Sequence, residues 1–292
     1  MPMWADPAKD CRNSPTKGTA PGSNSLITVE RGSKMLVSQR YASQLLEAYR
    51  TRRPIAPISE REPNLTLDDA YAIQLAQVDA WKADGAVIKG YKVGLTSAAM
   101  QRQLGVDQPD FGHLTADMFH PANAPIDTSA FLQPKVEPEI AFVLGRDLAG
   151  PGVNVAEAIA AVDFVLPSLE LIDSRIENWR IGLIDTVADN ASSGGVILGC
   201  TPTSLDGVDL GGIGCNLIGN GTVLASGAGA AVLGSPINAL VWLANTLGAR
   251  GIGFTAGQVI LPGSVTAAHA VSAGSVVTAD FGALGAVTAV FG

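Results

Sequence analysis

The chain has 292 residues and a net charge of −8, and this acidic balance argues against a nucleic acid as its partner. Hydrophobic residues make up 47% of the chain and charged residues 16%, which predicts a globular protein with a large buried core. The three cysteines are widely spaced and fit neither a disulfide framework nor a CxxC metal site, so we expect a cytoplasmic protein.

The N-terminal third of the sequence changes character twice. Residues 1–34 are rich in Pro, Gly, Ser, Lys and Asn without an apolar period, which predicts a disordered tail. From Leu36 apolar residues recur at three- and four-residue steps, which indicates a helix. Thr66, with an acidic residue three positions later, is typical of the N-cap of a second helix, and that helix ends near Gly85. We therefore predict an N-terminal helical region over residues 35–85.

Residues 86–292 are predicted to form a second, catalytic domain that is rich in β-structure. Short β-branched runs alternate there with glycine turns, and helices are indicated only after Asn154 and at Ser235. This pattern predicts a mixed α+β fold and not a doubly wound sheet. The glycines of residues 248–253 follow a helix and precede a strand, which is the reverse of a dinucleotide-binding fingerprint.

No membrane contact is expected. The most apolar stretch, residues 230–247, is interrupted by serine, proline and asparagine, and this is unsuited to a membrane-spanning helix. Asp6 and Asp10 lie near the N-terminus, where an apolar signal-peptide core is absent.

Glutamates in otherwise apolar strands are the most informative feature. Glu137 and Glu139 are two residues apart in KVEPEIAFVL, so a strand would project both side chains from one face. Glu170 lies in a similar apolar run. Three converging carboxylates would suit Mg²⁺ or Mn²⁺, whereas the alternative is the solvent face of a half-buried sheet. Pro138 cannot donate a hydrogen bond within a sheet, which predicts a sheet edge or a bulge.

Three further polar segments are candidates for the same site. Lys92 lies in an apolar strand between two glycines, where lysine is either an anion-binding or acid–base group or a surface residue. Asp110 lies in a Pro- and Gly-containing segment that is equally typical of a turn. Asn190 and Ser192 lie in a segment, ADNASSGG, that could supply donors to a carboxylate or form a plain polar turn.

The segments KVGLTS, VDQPDFG, KVEPE, LIDSRIENW and TVADNAS, in this order, resemble the 2-oxopent-4-enoate hydratases. These form, with the 4-oxalocrotonate decarboxylases, one branch of the fumarylacetoacetate hydrolase superfamily. The resemblance extends from about Leu36 to the C-terminus and implies a fumarylacetoacetate hydrolase-like fold. Pro138 departs from the small residue that the family pattern has between the first two glutamates.

The resemblance implies a ligand set and a reaction. Glu137, Glu139 and Glu170 match the acids that bind Mg²⁺ or Mn²⁺, and the metal chelates a short 2-oxo acid. Lys92 and Asp110 match active-site positions, to which we assign proton transfer and water positioning. Ser192 matches a position near the substrate carboxylate, and Asn190 is predicted to bind substrate with it. The expected reaction adds water to 2-hydroxypenta-2,4-dienoate and gives 4-hydroxy-2-oxopentanoate, in the meta-cleavage degradation of aromatic compounds. A homo-oligomer and a downstream aldolase partner are also implied.

Three alternatives remain from the sequence. A 4-oxalocrotonate decarboxylase would use the same metal and would need a further cation to bind a second carboxylate. The presence of Arg175 in the sequence does not decide whether this chain has such a cation. An acylpyruvate hydrolase is disfavoured, because it needs a His–Glu pair and no His-x-x-Glu occurs. A non-catalytic scaffold with the same fold is disfavoured because packing does not require these polar residues together.

Overall fold

The computed structural model describes residues 23–122 and 124–292. The helices are α1 (Ser23–Thr51), α2 (Ile58–Arg61), α3 (Leu67–Ala83), α4 (Ala98–Leu104), α5 (Val155–Ala161), α6 (Leu183–Ala188) and α7 (Pro236–Gly248). The strands are β1 (Ile88–Gly94), β2 (Asp110–Thr115), β3 (Phe119–His120), β4 (Pro125–Ile126), β5 (Lys135–Leu144), β6 (Val162–Ile172), β7 (Ser193–Leu198), β8 (Gly214–Gly219), β9 (Thr222–Ala228), β10 (Val259–Leu261), β11 (His269–Ala270), β12 (Val276–Asp280) and β13 (Ala286–Phe291).

Two sheets form the framework. The larger has the strand order β2-β1-β10-β5-β6-β7-β3, with β11 paired to β5, and the smaller has the order β4-β13-β12-β8-β9. Most neighbours are antiparallel, but β1 with β10, β3 with β7 and β4 with β13 are parallel. The predicted β-rich mixed fold is therefore confirmed.

The β5–β6 pair is the centre of the larger sheet. Its antiparallel register runs from Lys135 opposite Ile172 to Val143 opposite Phe164 without interruption. Ile140 and Phe142 of β5 are completely buried, and they belong to one large apolar core. Glutamates on these strands are therefore set in a rigid, water-excluding environment.

Pro138 is accommodated by a gap between two neighbours of β5. On the side away from β6, β10 pairs with one end of β5 and β11 with the other, so no strand lies beside Pro138. The Val265 amide donates to the Pro138 carbonyl at 3.1 Å across this gap. The sequence prediction of a sheet edge or bulge is wrong, since β5 is internal and its register with β6 shifts only after Val143. The gap explains why a missing N–H is tolerated here.

The first N-terminal helix begins earlier than the sequence indicates. Helix α1 starts at Ser23, although the apolar period predicts a start at Leu36. Residues 1–22 of the predicted tail lie outside the described residues, whereas the backbone from Ser23 to residue 34 is helical and not disordered as predicted. The Thr66 N-cap is confirmed, because its side chain and that of Asp69 form a reciprocal capping box.

Residues Val37–Gly292 form one compact unit. Within it the Gln77 side chain on α3 donates to the carbonyl of Ala188 on α6 at 2.7 Å, and Gln74 reaches the carbonyl of Val187 at 2.9 Å. These bonds connect the helical region to the segment that precedes β7. The division into an N-terminal region at 35–85 and a catalytic domain at 86–292 stays a prediction.

Helix α7 is a long apolar helix of the core. By length and composition, the segment Gly229–Gly248 could cross a membrane. Within it, 44% of an apolar stretch of 18 residues is buried inside the structure. Leu240, Leu243 and Leu247 of α7 are completely buried in the core. The core helix of a soluble protein passes the same length and composition test.

Candidate metal centre

Three glutamates converge on one point of the larger sheet. Glu137 and Glu139 project from one face of β5, and Glu170 on β6 lies directly opposite Glu137 in the strand register. One carboxylate oxygen from each of the three lies within 4.8 Å of the others. Glu139 and Glu170 are 0% exposed, whereas Glu137 is half-buried and lies toward solvent. The predicted convergence of the three acids is confirmed.

Burial and mutual repulsion disfavour the charged forms of these acids. Burial, reinforced by the nearby Glu170, raises the pKa of Glu137 to about 7. Burial also raises the pKa of Glu139, with Glu170 and Glu137 adding to the shift. It raises the pKa of Glu170 too, although Lys92 opposes the effect. A cation at the centre of the three would reverse this balance and hold all of them ionised.

Among the residues that the structure describes, several buried oxygens of the cluster find no hydrogen-bond partner. They are Glu139 Oε1 and both carboxylate oxygens of Glu170. The second oxygen of Glu139, Oε2, accepts a hydrogen bond from the Gly263 amide at 2.7 Å, so this side chain is held in place by one oxygen and free at the other. Unpaired buried carboxylate oxygens are very costly, and oxygen ligands are those that hard divalent cations prefer. The triad is therefore a site for a divalent metal ion.

Lys92 lies beside the triad. Its side chain is only 4% exposed, its Nζ donates to the carbonyl of Ala191 at 2.9 Å, and it lies 3.4 Å from Glu170 Oε1. Burial lowers the pKa of Lys92, but Glu170 and Asp110 more than offset this and raise it above the ordinary lysine value. Lys92 is thus a fixed ammonium group at the edge of the acidic cluster.

Asp110 occupies the first position of β2, close to Lys92. Its Oδ2 accepts from the Thr186 hydroxyl at 3.1 Å, while Oδ1 is buried without a hydrogen-bond partner. Burial raises the pKa of Asp110, and Lys92 opposes the shift. Gly94 makes the arrangement possible, because a Cβ at this position would lie 2.2 Å from Asp110 Oδ1 and 3.2 Å from Lys92 Nζ. The carboxylate of Asp110 and the ammonium of Lys92, the two predicted acid–base groups, therefore both lie next to Gly94.

The turn before β7 contains the last two predicted site residues, Asn190 and Ser192, and their side chains have different surroundings. Asn190, Ala191 and Ser192 have φ values of 52°, 52° and 54°, a left-handed run that is rare outside glycine. Ser192 Oγ is buried without a partner, next to the residue whose carbonyl binds Lys92. The Asn190 carboxamide instead accepts from the His113 amide at 2.8 Å and donates to the His113 carbonyl at 2.9 Å. Asn190 fastens the turn to β2, and its role in binding substrate stays a prediction.

A buried ion pair that sequence reasoning missed holds this turn in place. Arg175 and Asp189 are both completely buried, and Arg175 Nε donates to Asp189 Oδ1 at 2.6 Å. The same guanidinium donates to the carbonyls of Asp189 and Ser193, at 2.9 and 3.0 Å. Each of the three Arg175 guanidinium nitrogens therefore donates a hydrogen bond within the protein. The sequence carries no local signal for such a pair, because arginine is ordinarily exposed.

Comparisons with known proteins agree with this geometry. Residues 88–291 match the family model described as fumarylacetoacetate (FAA) hydrolase C-terminal. A 2-keto-4-pentenoate hydratase of Paraburkholderia xenovorans is 45% identical over 250 residues, which cover 86% of this chain and 93% of that protein. A 2-hydroxyhexa-2,4-dienoate hydratase of Comamonas testosteroni is 45% identical over 224 residues, covering 76% of this chain and 85% of that protein.

A solved structure supports the same assignment. The 4-oxalocrotonate decarboxylase of Pseudomonas putida G7, complexed with magnesium and adipate, is 39% identical. It superposes with a TM-score of 0.84 and covers 87% of this chain and 97% of its own. With the family model spanning both sheets and hydratase relatives matching most of the chain, this protein belongs to the fumarylacetoacetate hydrolase family, among its 2-keto-4-pentenoate hydratases.

Proposed function

We propose that the protein is a metal-dependent hydro-lyase that hydrates 2-hydroxypenta-2,4-dienoate or a close homologue, with Mg²⁺ or Mn²⁺ as its metal. The observation that carries this proposal is a set of buried polar atoms without hydrogen-bond partners. They belong to Glu139, Glu170, Asp110 and Ser192. Most buried polar groups in proteins have a partner, so this cluster is expected to be satisfied by a metal and an anionic, oxygen-rich substrate.

The reaction requires the protonation of two carbon atoms, the loss of one proton each from the 2-hydroxyl group and from water, and the positioning of that water molecule. A proton adds at C5 as the 2-hydroxyl proton leaves, which gives 2-oxopent-3-enoate. Water then adds its oxygen at C4 and a proton at C3, which gives 4-hydroxy-2-oxopentanoate. When bound, a divalent cation would supply a Lewis acid that polarises the carboxylate and the 2-oxygen of the substrate.

The protein groups are arranged for these transfers. Asp110 presents the unpaired Oδ1 to the site while Thr186 holds its other oxygen, so it is placed to exchange protons with substrate or water. Lys92 is fixed by Ala191 and Glu170 and supplies positive charge near the same point. The Ser192 hydroxyl is free to bind the substrate carboxylate.

The second candidate is 4-oxalocrotonate decarboxylase, favoured by the likeness to the Pseudomonas putida G7 enzyme. Both reactions stabilise negative charge on the 2-oxygen, and both would use the same metal. A decarboxylase also has to bind a second carboxylate, and Arg175, a buried cation beside the turn, is already paired with Asp189. This commitment favours the hydratase.

One assay separates the two candidates. Protein stripped with a chelator is given 2-hydroxypenta-2,4-dienoate with and without Mg²⁺ or Mn²⁺, and the loss of dienol absorbance is followed. Metal-dependent hydration supports the proposal, and its absence would refute it. Release of CO₂ from 4-oxalocrotonate without hydration of the dienoate would establish the decarboxylase instead.

Three further expectations accompany this function and stay predictions. They are a homo-oligomeric assembly, a cytoplasmic location and a downstream aldolase that cleaves the hydrated product. A 4-hydroxy-2-oxo acid is the type of compound that an aldolase divides, which supports the last of these.

A further inference from the structure

We propose that Lys135 is a substrate-binding residue, which pairs with the carboxylate of the 2-oxo acid at the mouth of the metal centre. The proposal rests on the proposed binding of 2-oxo acids at this metal and goes beyond it by naming a residue that determines substrate charge. It is argued from the position of Lys135 on β5, from its contact with Trp179 and from the charge of the site.

Lys135 lies on the metal-binding face of β5. Side chains at alternate positions of a strand share a face, so Lys135 follows Glu139 and Glu137 along one line. Glu139 is completely buried and Glu137 is half-buried, which means that the line runs outward from the sheet interior to solvent. Lys135 is also half-buried and continues this line at the outer end.

An aromatic ring, and not a carboxylate, holds the Lys135 ammonium. Its Nζ lies 4.0 Å from the centre of the Trp179 ring. In the part of the chain that the structure describes, no carboxylate oxygen lies within 4.0 Å of Lys135 Nζ, which is the limit for an ion pair. A cation on a ring face keeps its remaining N–H donors available to an anion.

Trp179 is itself fixed in an unusual conformation. Its φ is 55° and that of Asn178 is 57°, and a left-handed conformation is a true outlier for so bulky a side chain. Its indole N–H donates to the Gln133 carbonyl at 3.1 Å. Strained backbone that is held by specific contacts is often found at ligand sites, because it fixes a side chain in advance of binding. Here the side chain that is fixed in advance is the Trp179 ring, on which the Lys135 ammonium lies.

The negative charges of the site outnumber its positive charges, so a further cation would stabilise a bound anion. With the three glutamates and Asp110 ionised, a divalent ion and Lys92 leave one negative charge uncompensated. A 2-oxo acid adds a second one through its carboxylate. Lys135 is the cation that shares the face of the metal-binding glutamates, and Arg175 is unavailable because it is paired with Asp189. A carboxylate chelated to the metal would therefore extend one oxygen toward Lys135.

Binding of simple anions to the Mn²⁺-loaded protein tests this proposal by calorimetry. Pyruvate carries the 2-oxo carboxylate alone, and adipate carries two carboxylates without a 2-oxo group. Lys135→Met is expected to weaken pyruvate binding about tenfold, since it removes a charged hydrogen-bond donor that is partly exposed. Lys135→Arg is expected to restore most of the affinity. Lys89→Met, which removes an exposed lysine of β1, is the matched control and should bind as the unmodified protein does.

Trp179→Leu provides a second readout. It should weaken pyruvate binding when Lys135 is present and have no further effect in the Lys135→Met background, because the ring acts only through the ammonium. Unchanged pyruvate affinity in Lys135→Met would overturn the proposal. So would a loss confined to adipate, which would place Lys135 at a distal carboxylate. Failure of the hydration assay with pyruvate binding intact would count against the proposed reaction alone.

Discussion

Adding a single methyl group at Gly94 is expected to remove most of the catalytic activity. Gly94 ends β1, and a Cβ there would lie 2.2 Å from Asp110 Oδ1 and 3.2 Å from Lys92 Nζ. Ordinary contact between heavy atoms needs about 3.5 Å, so in Gly94→Ala the Asp110 carboxylate has to move by about 1 Å. A misplacement of about 1 Å at a reacting group costs on the order of a hundredfold in rate.

The fold and the metal site should survive this change. Overpacking in a buried region costs about 1–3 kcal/mol, which for a chain of this size lowers the melting temperature by only several degrees. The three glutamates lie on β5 and β6 and are not among the atoms that the new methyl meets. We therefore expect Mn²⁺ affinity within about threefold of the unmodified protein, together with a fall of about a hundredfold in kcat/KM.

The assay compares four proteins for dienoate hydration, Mn²⁺ binding and thermal unfolding. They are Gly94→Ala, Asp110→Asn, the double variant and Gly214→Ala. Gly214 is a strand glycine where the nearest atom to a new Cβ is 3.9 Å away, so its substitution is the matched control. If the methyl acts by displacing Asp110, the double variant should be no worse than Asp110→Asn alone. Full activity in Gly94→Ala, or additive losses, would refute the reasoning.

Three more perturbations have definite expected outcomes. Glu139→Gln should abolish metal-dependent turnover and weaken Mn²⁺ binding in calorimetry, and an unaffected rate would contradict the ligand set. Asp189→Asn removes the closest charged partner of the buried Arg175 guanidinium and leaves only Asp173 Oδ2 at 4.0 Å, so urea unfolding should show a loss of about 3 kcal/mol, and a loss below about 1 kcal/mol would argue against the pair as the anchor of the turn. Burial lowers the pKa of His113 to about 4, so its contribution to stability is complete above about pH 6.5 and is lost as the pH falls toward 4, by at most ~3 kcal/mol. His113→Phe keeps the packing on Tyr91 and should flatten this acid-side loss in urea unfolding at pH 4 to 7, whereas an unchanged pH dependence would assign the loss to other groups.

Features that depend on short stretches of chain were predictable. Glu137 and Glu139 share a face because strand side chains alternate, and this holds wherever the strand lies in the sheet. The capping box of Thr66 and Asp69 is likewise a contact across three residues. Lys92 and Asp110 were predictable as site residues because each is a charged side chain in an apolar or glycine-containing segment. Both are buried beside the triad.

The local pattern of apolar and charged residues was enough to identify Glu137, Glu139 and Glu170 as polar side chains of buried strands, and hence as candidates for the metal centre. How they meet depends on the pairing of β5 with β6, which puts Glu170 opposite Glu137 and is set by contacts between distant parts of the chain. The fold likewise makes Asn190 fasten a turn and pairs Arg175 with Asp189, and neither was predictable, since burial of a polar side chain and its partner cannot be read from neighbouring residues. Pro138 departs from the family pattern, and the gap between β10 and β11 accounts for it, because a proline is tolerated where no strand needs its missing N–H.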